Sequence, residues 1–567
     1  MAKRKRWAIT FLALVLVMSV MAACSGKNET SGGQDTGSKP TETGSTASVE
    51  KEESPLKNGK FDPEVTVTTW GCYGKDTKFK DGDTFEKNVA TEWMKTNLGI
   101  NFKYSWTSPW ENDACATKMR LALSSGEQLP DVVFVPADDK GRVLIASLIE
   151  TGNFMDVNEV FDKYASDKYK DILTNHPELW TFAMKDGKHY GIPLTYDPFG
   201  NAPLLYIRED WLKKLNLQQP KTIDDLEKVM DAFTNQDPDG NGKKDTYGLA
   251  LATKYSLLGE TFASTGWIFG AYGTVPTYWI KTADGSLQYG SIQPGAKEAL
   301  SKLRSWYEKG YLDPEFASKD AGKEVELVTS GKAGIINGPY WLPIWPLPDL
   351  QKNVPGATML PTMLPEGPEG KPGFNGSDAL LGVYLINKNA EHPEAITVFL
   401  NKLLEANLHL KGSNVENGFV EGFDYVMENG KPKVSTEYRI DKLLIGNNAP
   451  NVPEKNVETL AYLATGAEPR DGYELNSMQY KAAHIPGSII QKEIPFEIKN
   501  SFTGANTPTM VSKMEALKKM ETEVFTKIIY GKAPLDSFDD FVSKWKSSGG
   551  DQMTKEVNDW YVSINKK

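Results

Sequence analysis

Oxygen donors stand at alternate places in one short run: Asp237, Asp239, Asn241, Lys243 through its carbonyl, and Asp245. Alternation of this kind wraps a chain round a hard cation, and Gly242 at the sixth place allows the sharp turn of an EF-hand-type loop. The chemistry it points to is Ca2+ binding. The bidentate acid of the twelfth place is missing, since Gly248 stands there. The run follows a helical pattern away from any strand end, so the expected ion is structural. The alternative for the same residues is a polar Asp/Asn/Gly turn that takes no metal. Catalytic chemistry has no comparable signature. The chain holds no Gly-x-Ser-x-Gly, no His-Glu-x-x-His and no phosphate loop. A glycosidase would need two carboxylates facing each other across a cleft, and acids are too abundant for the sequence to rule such a pair out.

A second reactive residue is Cys24. It closes Met21-Ala22-Ala23-Cys24, after a basic start (Lys3, Arg4, Lys5, Arg6) and an apolar stretch from Trp7 to Ala23. That is the layout of a secretory signal over 1–23, and a Cys directly after small residues resembles a bacterial lipobox, with the thiol acylated (palmitate) once the leader is cut. Residues 24–60 then read as the lipidated Cys and a flexible linker rich in Ser, Gly, Thr, Lys and Glu. The expected location is the extracellular face of the bacterial cytoplasmic membrane, with contact to the membrane only through the anchor. Cys72 and Cys115 remain, and an oxidising compartment lets them pair without requiring it. The net charge of −11 across 567 residues argues against nucleic acid, which wants basic patches.

These residues need a scaffold. Val65 to Trp70 is a β-branched strand pattern, Phe85 to Asn97 a helix, Ile100 to Trp106 a strand, Ala114 to Leu123 a helix, and Pro130 to Val135 a short apolar strand of the fully buried kind. Strand, helix, strand, helix, strand predicts a parallel sheet with crossovers, whose ligands sit at the carboxyl ends of the strands. Leu204 to Arg208 predicts another strand. A helix begins after Thr222, with Leu226, Met230 and Phe233 on one face. Further helices are expected over Pro294 to Lys309, His392 to Leu404 and Val511 to Ile529.

Pro130-Asp131-Val132, Tyr190-Gly191-Ile192-Pro193, Leu205 to Leu212, the Asp/Asn loop, Gly331-Lys332-Ala333-Gly334, His392-Pro393-Glu394-Ala395 and Glu556 to Trp560 occur in this order. Together with the lipobox they resemble the extracellular solute-binding proteins of family 1, the lipoprotein components of carbohydrate ABC importers. The likeness is strongest to the large subgroup that binds oligosaccharides such as alginate. It implies an α/β, two-lobed, type II periplasmic-binding-protein-like fold with hinge strands and a central cleft. Lobe 1 takes 61–193 and 371–438. Lobe 2 takes 194–370 and, with the C-terminal helices, 439–567. It implies a monomer that captures an oligosaccharide by lobe closure and presents it to ABC permease subunits, and no enzyme. The alternatives are a secreted carbohydrate-active hydrolase, or a binding or sensor lipoprotein for a peptide or other solute. Sugar recognition needs aromatic faces and planar polar groups, which here are expected from Trp70, Tyr73, Trp110, Tyr196, Trp267, Tyr340 and Trp341, with Asp138, Asp197, Asn375 and Asp378 on hydroxyls.

Overall fold

The computed structural model describes residues 54–565 except 75–76, 81, 111–112, 260, 436–439 and 447. The leader, Cys24 and the spacer as far as residue 53 lie outside the described residues. Among the described residues no helix is long and apolar enough to cross a membrane.

After a tight hairpin of Leu56–Lys57 with Lys60–Phe61, strands and helices alternate as their patterns predict. They are β1 (Val65–Tyr73), α1 (Val89–Leu98), β2 (Ile100–Pro109), α2 (Ala114–Ser125), β3 (Val132–Pro136), α3 (Asp139–Glu150) and β4 (Gly191–Thr195). The start of α1 is set by Asn88, whose side chain accepts from the N–H groups of Ala90 and Thr91. Gly99 ends the helix with φ 68°, a left-handed angle that suits glycine. A second group follows: β5 (Leu204–Arg208), α4 (Ile223–Asn235), β6 (Tyr247–Leu249), α5 (Gly266–Ala271), α6 (Pro294–Glu308), β7 (Ala333–Gly338), β8 (Met359–Thr362) and β9 (Phe374–Asn375). Thr222 caps α4 through the Asp225 N–H, and Leu226, Met230 and Phe233 are buried on its inner face. Then come β10 (Leu380–Ile386) and α7 (Ala395–Asn407). The chain ends with α8 (Lys455–Ala464), α9 (Gly472–Ser477), α10 (His484–Glu493), β11 (Glu497–Ile498), α11 (Pro508–Ile529), α12 (Ser537–Trp545) and α13 (Asp551–Asn565).

The strands form two main sheets. The first has the order β2-β1-β3-β10-β4, with β1, β2 and β3 parallel and β10 antiparallel to both β3 and β4. Val132 to Val135 are all buried in it, as a strand covered on both faces must be. The second has the order β6-β7-β5-β8. Buried side chains fall into two cores that match the sheets. One gathers residues between Phe61 and Leu194 and again between Leu380 and Ile445. The other gathers residues between Phe199 and Phe374 and again between Val457 and Val557. The molecule is therefore an α/β protein of two lobes. The chain passes between them after Thr195, after Asn375 and after Ile445.

Candidate functional site

Register decides which sheet ends look at the crossings. In lobe 1, Tyr73 pairs with Pro109, Gly382 with Pro136 and Leu380 with Thr195, so the last residues of β1 to β4 share one end with the start of β10. In lobe 2, Gly338 pairs with Leu204 and Thr362 with Leu205. The crossing from Thr195 to Leu204 joins these two ends, and the loops that follow them form the candidate site.

At its floor lies Asp197, 8% exposed. Its carboxylate accepts from the Phe199 N–H at 2.9 Å and from Asn456 Nδ2 at 3.1 Å. Asn456 Nδ2 also bonds the Tyr340 hydroxyl. Burial pushes the Asp197 carboxyl above its ordinary range. The bonds from Asn456 and Phe199 pull it back, and the Glu454 charge pushes it up again. Burial and then the Asp197 charge raise the hydroxyls of Tyr196, Tyr340 and Tyr473, which stay protonated. Lys455 sits with its ammonium 5.1 Å from the Tyr473 ring centre and 3.0 Å from Asp471. One carboxylate, one amide and three phenols thus meet at the crossing, a set able to donate to and accept from several hydroxyl groups.

Beside this floor stands an aromatic wall from the loop after β7. Trp341 donates its indole N–H to the Gly200 carbonyl at 2.9 Å, which ties the loop to the crossing. Trp345 stacks on it at 6.3 Å and 24°, and Phe262 meets both edge-on. Trp345 is 59% exposed, an open apolar face next to polar groups.

At the lobe 1 strand ends, Trp110 is half-buried and its backbone N–H donates to the Tyr73 carbonyl at 2.8 Å. Tyr73 is half-buried against Phe85. Asp138 is exposed, and its Oδ1 caps α3 by accepting from the Gly141 N–H at 2.7 Å. Cys72 and Cys115 are disulfide-bonded with Cα atoms 5.9 Å apart, joining the end of β1 to the first turn of α2.

Other residues read as ligand-facing from sequence lie elsewhere. Trp267 is fully enclosed in the lobe 2 core, because α5 is buried along its whole length. Trp70 is 2% exposed and stacks on Trp106 at 5.0 Å, so it supports the strand end without opening a face there. Asn375 is wedged against α5, where a Cβ on Gly266 would come within 2.0 Å of its Oδ1. Asp378 turns to Arg142, 3.3 Å away, and lines a cavity of about 280 Å³ at the crossings with Phe182, Pro198, Glu454 and Thr503. Asn456 and Tyr473 join the floor without having been singled out from sequence. They arrive from beyond the last crossing, and no local motif marks them.

The Asp/Asn loop is a tight turn, but its donors do not fit a calcium shell. Among the described residues no three acidic, His or Cys side chains converge to hold a metal. The Asn241 amide bonds Asp239 Oδ2 at 2.7 Å and Asp245 Oδ1 at 3.0 Å, and Asp245 Oδ2 is taken by Lys332. The expected Ca2+ therefore has no formed site in this arrangement.

Compared with known proteins, residues 76–406 match the profile of the bacterial extracellular solute-binding protein family. Lipoprotein LipO of Bacillus subtilis is 26% identical over 498 residues, spanning 84% of this chain and 89% of that one. The polygalacturonan/rhamnogalacturonan-binding protein YtcQ of the same organism is 24% identical over 575 residues, with 98% of each chain covered. Among solved structures, an EF-hand mutant of the ABC-transporter substrate-binding protein FusA of Streptococcus pneumoniae, in complex with fructo-nystose, superposes with a TM-score of 0.60. The two are 19% identical, and 88% of this chain and 99% of that one are covered.

Proposed function

The chain belongs to the bacterial extracellular solute-binding protein family, and on that premise we propose that it captures an oligosaccharide between its lobes and hands it to an ABC importer without changing it. The observation that carries this reading is the joining of the Asp197–Asn456–Tyr340 hydrogen-bonded floor to the Trp341–Trp345 wall. Sugar rings present C–H patches to aromatic faces and hydroxyls to planar polar groups, and both are supplied within one loop system. Tyr196, Asp197, Tyr340, Trp341, Trp345, Asn456 and Tyr473 bind from the crossing and lobe 2. Tyr73, Trp110 and Asp138 close from lobe 1. The lobes rotate about the three crossings, and the closed form is the one the permease takes. Cys24 anchors the protein to the outer face of the membrane through its lipid, and the working unit is a monomer.

Oligosaccharides as the ligand class are supported by the names of YtcQ and FusA. Within that class the floor favours neutral sugars. A uronate carboxylate would meet the buried Asp197, whose charged neighbour Glu454 is also acidic. The test is thermal shift and calorimetry against neutral oligosaccharides and oligouronates. A neutral sugar that saturates, raises the melting temperature and is recovered intact is the expected result. Consumption of the sugar would make the protein a hydrolase, and silence across the panel would end the oligosaccharide reading.

A further inference from the structure

The loop Asp237 to Asp245 is met by positive charge from the chain itself. The Lys332 ammonium bonds Asp245 Oδ2 at the end of the loop. Its place is set by the sheet, since the Tyr247 N–H donates to the Lys332 carbonyl at 2.8 Å and Tyr247 pairs with Ala333 across β6 and β7. At the start of the loop, Lys214 Nζ donates to the carbonyls of Asp237 at 3.3 Å and Pro238 at 2.8 Å. Between these ends the turn is held internally. The N–H groups of Gly240, Asn241 and Gly242 donate to the Asp237 carboxylate at 3.1, 3.0 and 3.1 Å.

The places from which a further strong ligand could come are closed. Gly248 stands at the twelfth place, and a Cβ there would lie 2.7 Å from Met230 Cβ. The Thr246 hydroxyl is buried and donates to the Phe233 carbonyl at 2.8 Å, toward α4 and away from the loop. A calcium shell needs six to eight oxygens, and neither of these two places adds one.

We infer that Lys332, on the carboxylate of the ninth place, is the resident counter-cation of the loop, with Lys214 tying down the carbonyls of its first two residues, so that the turn between α4 and β6 keeps its fold without metal. The inference is independent of the sugar reading, because the loop is no part of the proposed cleft.

The test compares melting of the purified protein, stripped with EDTA, in calcium-free buffer and in millimolar calcium chloride, with calorimetric titration of calcium alone. The expected wild-type result is no saturable heat and a melting temperature unchanged within about 1 °C, where a filled site would raise it by several degrees. Lys332→Gln is expected to lower the melting temperature by about 1–3 °C in calcium-free buffer. Asp245→Asn added to Lys332→Gln should cost nothing more, since the pair is already broken. Saturable calcium binding with an upward shift in the wild type would overturn the inference. So would a Lys332→Gln protein that melts like the wild type.

Discussion

Arg142 of lobe 1 donates through Nη1 to the backbone carbonyl of Thr503, in the lobe 2 segment that follows β11, at 2.6 Å. Its guanidinium lies 4.5 Å from the Phe182 ring centre, and the hydroxyls of Thr181 and Thr503 meet at 3.1 Å beside it. The two contacts to Thr503 tie lobe 1 to lobe 2, whereas the Phe182 contact lies within lobe 1, so the proposed rotation about the crossings would break only the former. Arg142→Ala is expected to cost about 1–3 kcal/mol in urea unfolding. It should also change the small-angle scattering of the ligand-free protein. A loss of stability with unchanged scattering would make Arg142 an ordinary packing residue.

The raised Asp197 carboxyl gives a signed pH effect. Its folded pKa lies above the unfolded value, so between the two the folded state holds more protons and stability falls as pH rises. Above the folded value the penalty is complete. Asp197→Asn removes it, and should melt at or above the wild type at neutral pH, with the advantage fading as pH drops below the ordinary carboxylate range. The same variant loses a charged acceptor, and its affinity for the oligosaccharide found in the screen should fall roughly 10- to 100-fold. An Asp197→Asn protein that binds as tightly as the wild type would remove Asp197 from the floor.

Trp345 and Trp267 are the same residue type with opposite expectations. Trp345 is 59% exposed and Trp267 is fully buried. Trp345→Ala should leave stability within about 0.5 kcal/mol and weaken sugar binding about tenfold. Trp267→Ala should cost about 3–5 kcal/mol of stability. Equal stability losses in the two variants would contradict the burial, and undiminished affinity in Trp345→Ala would strip the wall of its role.

The disulfide bridges residues 43 apart in sequence. Replacing both Cys72 and Cys115 by Ser should lower stability by about 2–4 kcal/mol. Denatured, unreduced protein should show neither of these thiols to a thiol reagent. Detecting them would mean that the bond does not form in the isolated protein.

Much of the fold is legible in local patterns. Val132 to Val135 reads as a doubly covered strand because nothing polar interrupts it, and Thr222 with Asp224 and Asp225 announces a helix start. Tyr340 and Asp197 are legible as candidate site residues because each follows a strand in a loop with Gly or Pro. Asn456 and Tyr473 are not, because their placement depends on a crossing far down the chain. Trp267 and Trp345 cannot be told apart by composition, as only the packing of α5 separates a core ring from an open one. The Asp/Asn spacing is visible in sequence, whereas the partner Lys332 is supplied by a sheet register that no spacing reveals.

β10 lies between β3 and β4 and is the neighbour that both of them bond. A chain made from its N-terminus therefore delivers β3 and β4 with a gap between them, and the gap stays open until the whole first part of lobe 2 has been synthesised. Until then both strands show unpaired edges, the kind that recruit other chains. Lobe 1 cannot finish before much of lobe 2 exists. Truncations ending before Leu380 should then give insoluble material and not a half-sized lobe. The interruption that makes the chain cross three times between the lobes also makes this a protein whose halves must be completed together.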